Sequence, residues 1–200
     1  VTATLPAGSA ANALLQRLGF TFVELSLETY FVPKGELARP AAALRQAEEI
    51  DWPGIERIAG SAFRHGRYHA DPGFPSELAD RRYIRWMRNA RAATSHGATH
   101  GDIVYVLGEA GAPRAFFHVA LREDGVGDLR LGAVDPQASN GMLGVALYRG
   151  VIAALRELGA RSFVTRLSAS NTAVLNLFAS MGFLFRDPTC IYNRHTPEQP

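Results

Sequence analysis

One cysteine, Cys190, is all that the 200 residues contain. No internal disulfide can form, which fits a reducing compartment and an expected location in the cytoplasm. No apolar run approaches the ~20 residues that span a bilayer, so no membrane partner is expected. No basic segment followed by an apolar core opens the chain, so no signal peptide is read. The first residue is Val1 rather than Met, which suggests a truncated or processed start. Neither sign of charge dominates: 21 Lys and Arg stand against 19 Asp and Glu, a net +2. That excess is too small to argue for nucleic acid and supports only a modest attraction for anionic ligands. What remains is ordinary, 47% hydrophobic and 20% charged. It suffices for one sizeable domain, or one domain with a partial second.

The most informative stretch is Ser139-Asn140-Gly141-Met142-Leu143-Gly144. A strand-like run from Asp128 to Val134 precedes it and ends at Asp135-Pro136. Leu143, Leu147, Val151, Leu155 and Leu158 follow at the spacing of one helix face. A strand, a small-residue turn and a helix N-terminus make an anion site, because free N–H groups and the helix dipole both favour phosphate. The turn is predicted to hold the pyrophosphate of a coenzyme.

Along the chain, a strand is predicted over 1–5, a helix over 10–18 closed by Gly19, and a strand over 20–32. In that strand Phe22, Leu25, Leu27 and Phe31 interleave with Glu24, Ser26 and Glu28. Residues 1–35 form a partial N-terminal segment, 36–43 a linker, and 44–200 the main domain. Within the latter the predicted order is β-α-α-β-β-β-α-β-α-β. Asp51 and Pro53 provide an N-cap and a first-turn proline. Residues 64–75 read as a loop, and Ser76 caps a helix with Leu78, Tyr83, Ile84, Met87 and Ala90 inward. Phe183 to Tyr192 reads as a final strand pair. Leu18-Gly19-Phe20 echoes Met181-Gly182-Phe183, each after a strand and a short helix. The N-terminal segment is therefore read as a degenerate half-copy of the C-terminal half.

This order, with the turn at its middle and Asn171-Thr172-Ala173 leading to Met181-Gly182-Phe183, resembles the GCN5-related N-acetyltransferase (GNAT) superfamily. The resemblance implies an α+β fold, layered α/β/α, with a mixed, mostly antiparallel sheet and splayed central strands. It implies acetyl-CoA as cosubstrate, bound by the strand residues Leu131, Ala133 and Val134 and by the turn residues Ser139, Asn140, Gly141, Met142, Leu143 and Gly144. Asn171, a helix cap in any fold, would also bond the pantetheine arm. Of the family's turn pattern only the final glycine, Gly144, matches. Phe178 stands where many members carry a tyrosine that protonates the departing thiolate, and phenylalanine has no proton to give.

A narrower likeness runs through Ala62 to Pro72 and Tyr83 to Asn89. These segments resemble the dTDP-fucosamine acetyltransferase group, which acetylates the amine of a nucleotide-linked aminosugar. The resemblance implies direct acetyl transfer to a small-molecule amine, with an oxyanion held by a backbone amide of the fourth strand. Arg67, Tyr68 and His69 could line the acceptor pocket, with Arg67 facing a diphosphate, or form a plain polar loop. His118 could act as general base, and a satisfied core histidine is an equal reading. His65, His69 and Asp71 are not expected to hold a metal, because Gly66 and Pro72 interrupt the helix that the spacing needs. Two other functions stay in view: an acyl-CoA-binding protein with weak or no turnover, and an acetyltransferase for a peptide or antibiotic amine. A homodimer is left open.

Overall fold

The computed structural model describes residues 1–35, 44–64, 66–94, 99–138 and 141–195. Ser139 and Asn140, His65 and the predicted linker 36–43 lie outside the described residues. Contacts divide the chain into two compact units, Val1–Thr29 with Arg64–Ala79 and Arg166–Pro200, and Tyr30–Phe63 with Asp80–Thr165. Each is described by itself.

The second unit holds the strands β3 (Leu44–Gln46), β4 (Gly101–Glu109), β5 (Ala112–Leu121) and β6 (Val126–Val134), and the start of β7 (Ser162–Ser168), in the order β7-β6-β5-β4-β3. Pairing is antiparallel from β3 to β6 and parallel between β6 and β7. The helices are α2 (Trp52–Ala62), most of α4 (Ser76–Ala93), and α5 (Gly141–Glu157). Neighbouring residues of a strand point to opposite faces, and β5 uses both. Phe117 meets Tyr148 of α5 edge to face at 4.8 Å. Phe116 points the other way, to Phe63, which stacks on Tyr83 of α4 at 4.4 Å. Helices therefore cover both faces, which is the predicted layering. Phe116 and Phe117 are buried, and each contributes about 2–3 kcal/mol of apolar burial. On β6 the close approach of the Phe117 ring demands a glycine: a Cβ on Gly132 would lie 2.7 Å from it.

The first unit holds β1 (Thr2–Pro6), α1 (Ala11–Arg17), most of β2 (Thr21–Phe31), the short helix α3 (Arg67–Ala70), α6 (Thr172–Met181) and β8 (Leu184–Asn193). Its strand order is β1-β8-β2, with β1 antiparallel to β8. Asn171 caps α6 by accepting the Val174 N–H at 3.3 Å, and Gly182 ends the helix at φ 86°, the left-handed cap that glycine adopts most readily. No helix among the described residues is long and apolar enough to cross a membrane.

Several local expectations change. Asp51 does not cap α2. A 3-10 turn, Glu49–Asp51, gives it helical angles of −82° and −23°, so its side chain turns back into that turn. Leu78 is 44% exposed, and Ala79 takes the buried position. The loop over 64–75 contains the turn of helix α3. The last segment is one strand, with Asp187 at φ 49° absorbing the irregularity. On β2 the buried residues are Val23, Ser26, Thr29 and Phe31. Both parities occur, so both faces are covered and alternation misleads.

Candidate active site

In the second unit, β6 is held differently on its two edges. Against β5 it pairs along its length, with Leu131 opposite His118 and Leu129 opposite Val119. Arg130 is thus the extra residue of a β-bulge, which twists the strand and re-aims its backbone. Against β7 the ladder runs through Val126–Ser162, Gly127–Phe163 and Asp128–Val164. At the next position a side chain takes over, the Thr165 hydroxyl donating to the Leu129 carbonyl. The strands part there, ahead of Leu131, Ala133 and Val134. Ala133 is buried, while Leu131 and Val134 are half-buried.

Beyond β6 the chain turns on Asp135, whose carboxylate accepts the Gln137 N–H at 2.9 Å and the Arg57 guanidinium at 2.7 Å. The Arg57 bond holds its pKa below the ordinary range. Gly141 opens α5, and Met142 is 80% exposed in the first turn. Gly144 faces open space, for a Cβ there would find only Val134 Cγ2 at 4.0 Å. Packing therefore does not require that glycine. A 17-residue helix presenting its first turn beside a parted strand fits an extended, phosphate-bearing group such as a coenzyme.

His118, on β5, is 3% exposed. The Trp86 indole donates to Nδ1 at 3.1 Å, and Nε2 lies 2.6 Å from Asp102 Oδ1. Burial pushes its pKa down. Both ring nitrogens are engaged, which leaves neither open to a substrate proton.

In the first unit, α3 carries Arg67, Tyr68 and His69 together. The Arg67 guanidinium lies over the Tyr68 ring at 4.9 Å and donates to its hydroxyl at 2.9 Å. The loop after α3 is pinned at Asp71. Its buried carboxylate accepts Asn193 Nδ2 at 2.5 Å, the Gly73 N–H at 2.9 Å and His195 Nε2 at 2.8 Å. Burial opposes the ionised form, yet these bonds together lower the Asp71 pKa. Phe178 is buried and stacks on Phe183 at 4.3 Å.

The sequence reading missed Glu24. This half-buried residue of β2 accepts the Arg67 backbone N–H, and burial raises its pKa against the pull of Arg67. Its neighbour Leu25 accepts the Ala169 N–H at 2.8 Å, just past the end of β7 and two residues before Asn171. The other acid on this face, Glu28, is held by Arg166 at 2.8 Å and Arg186 at 3.0 Å. In sequence Glu24 reads as a plain polar partner in an alternating strand, and nothing local singles it out. Among the described residues, no group of three or more His, Cys, Asp or Glu is placed to hold a metal ion.

No family model matches the chain. Over 168 residues it is 26% identical to dTDP-fucosamine acetyltransferase of Escherichia coli, covering 84% of this chain and 69% of that one. A GCN5-related N-acetyltransferase from Sphaerobacter thermophilus superposes with a TM-score of 0.68 at 15% identity, over 96% of this chain. The chain spans 59% of that structure's length. The PaiA N-acetyltransferase of Thermoplasma acidophilum, in complex with coenzyme A, gives a TM-score of 0.59 at 12% identity, covering 78% of this chain and 99% of that one. By its layers, its strand pairing and these likenesses, the chain has the GNAT fold and resembles dTDP-fucosamine acetyltransferase in sequence.

Proposed function

We propose that the protein is an acetyl-CoA-dependent N-acetyltransferase whose acceptor is a nucleotide-linked aminosugar. The observation that carries this reading is the parting of β6 from β7 after Asp128, which frees one edge of the stretch leading into the α5 turn. Acetyl-CoA would supply an activated thioester. The backbone of Leu131, Ala133 and Val134 and the turn from Ser139 to Gly144 would hold it, with Asn171 and Phe178 added by the family resemblance. Arg67, Tyr68 and His69 would meet the acceptor, Arg67 matching a diphosphate in charge and geometry. An amine arrives as ammonium and must lose a proton before it attacks. Within the first unit, beside Arg67, Glu24 is the carboxylate whose raised pKa suits it to take that proton. The 26% identity to a nucleotide-aminosugar enzyme supports the acceptor class. Residues 1–35 keep their reading as a degenerate half-copy, supported by the order β1-α1-β2, and the location is proposed as cytoplasmic.

Acetyl-CoA at about a hundred times its Kd is expected to raise the unfolding free energy by roughly 2.7 kcal/mol. A thermal-shift titration checks this, and an unmoved melting curve would sink the proposal. Competition by dTDP against basic peptides then tests the acceptor class.

The buried Phe178 ring, stacked on Phe183, favours a second reading, an acyl-CoA-binding protein without turnover. The two separate on acceptor-dependent thiol release. Phe178→Tyr is expected to raise that release severalfold, because a phenol restores an acid to the thiolate. A variant no faster than wild type would show that the thiolate leaves without help from this position.

A further inference from the structure

We propose that Trp86, His118, Asp102 and Arg130 form a brace holding the β6 bulge, and that His118 is a positioning residue rather than the base. The inference rests on the proposed acetyl transfer at β6. The chain of bonds crosses four elements. Trp86 on α4 donates its indole N–H to His118 Nδ1 on β5 at 3.1 Å. An indole nitrogen can only donate, so Nδ1 must be bare and the ring proton must sit on Nε2. That nitrogen donates to Asp102 Oδ1 on β4 at 2.6 Å. The same carboxylate oxygen accepts the Arg130 guanidinium from β6, and Arg130 Nε also reaches Asp128 Oδ2 at 3.2 Å.

Arg130 is the residue that the β5 ladder skips. A bulge residue lacks a ladder partner, and the ladder is locally disrupted around it. Here its side chain is clamped between two carboxylates, one of them tied through a buried imidazole to a helix. The charged groups facing His118 are Asp102 from β4 and Asp128 and Arg130 from β6, while α4 presents the uncharged Trp86. Burial pushes the ring's pKa down, which favours the single neutral tautomer that the Trp86 bond selects. Leu131 follows directly, and with it the stretch proposed to meet the thioester. Small displacements of such a stretch cost rate out of proportion to their size.

The test compares His118→Gln, His118→Leu and Arg130→Met, read by amide exchange across 129–132 and by turnover with acetyl-CoA and dTDP-fucosamine. Glutamine can accept from Trp86 and donate to Asp102 but cannot act as a base. His118→Leu and Arg130→Met are expected to speed exchange at least tenfold and to slow turnover about ten- to a hundredfold, with acetyl-CoA Kd within about twofold. His118→Gln is expected to recover at least half of the wild-type rate with slow exchange. If His118→Gln is as slow in turnover as His118→Leu, the base role wins and the brace fails. If Arg130→Met, whose side chain is partly exposed, leaves exchange unchanged, the brace also fails. Should wild type show no turnover, the proposed function falls, and the exchange rates alone decide the brace.

Discussion

Glu24→Gln is expected to lower turnover at least 100-fold at saturating acetyl-CoA while leaving acetyl-CoA affinity within about twofold. A 100-fold loss corresponds to about 2.7 kcal/mol of transition-state stabilisation. The substitution keeps the shape of the side chain and removes its charge and its capacity to take a proton. The pH dependence follows from the direction of the shift. Burial raises the Glu24 pKa above the ordinary carboxylate value, with Arg67 opposing. The working form is the carboxylate, so wild-type turnover should fall as pH drops through that raised value. Glu24→Gln should lose that limb of the profile. Steady-state rates across pH, with calorimetric binding of acetyl-CoA alongside, check both points. A variant with the wild-type rate and profile would remove Glu24 from the chemistry.

Asp51→Ala is expected to cost about 3–4 kcal/mol of folding stability. The Asp51 side chain is fully buried and accepts four bonds. Two come from Arg45 at 2.6 and 2.8 Å, and the backbone N–H groups of Glu48 and Gly111 lie at 2.8 and 3.0 Å. Alanine would leave two amides without their acceptor and take from the Arg45 guanidinium its two shortest bonds. The Arg45 bonds, together with those amides, hold the Asp51 pKa down to about 2. A folded pKa below the unfolded one means that the contribution is complete above about pH 4. It is lost as pH falls from there through about 2, and amounts to roughly 2–3 kcal/mol. Urea melts at pH 7 and pH 3 should therefore differ by less in Asp51→Asn than in wild type. Equal pH sensitivity would assign the acid limb to other carboxylates.

These two residues also mark where sequence reading stopped. Asp51 was legible as a special position, because an acid ahead of Trp52-Pro53 suggests a cap. The bonds that occupy it come from Arg45 and from Gly111, 60 residues away, and periodicity carries no trace of that pairing. Glu24 is a polar residue in an alternating strand by local rules. Its raised pKa comes from its burial and from the approach of Arg67, which only the folded chain brings near. His118 was visible as a titratable group in an apolar strand. Whether it is a base depends on which atoms face its nitrogens, and Trp86 and Asp102 lie 32 and 16 residues away.

The sequence by itself determined the element types and most of their order, because hydrophobic period, caps and glycine stops are local signals. Asn171 capping α6 and Gly182 ending it were readable for that reason. So were the strand ending at Val134 and the helix α5, and with them the layered α+β class. The tertiary structure decided where β6 leaves β7, which residue bulges from it, and which polar groups lie buried. Those outcomes depend on register between distant strands and on desolvation by packed neighbours. Both are sums over the whole chain, and no window of sequence contains them.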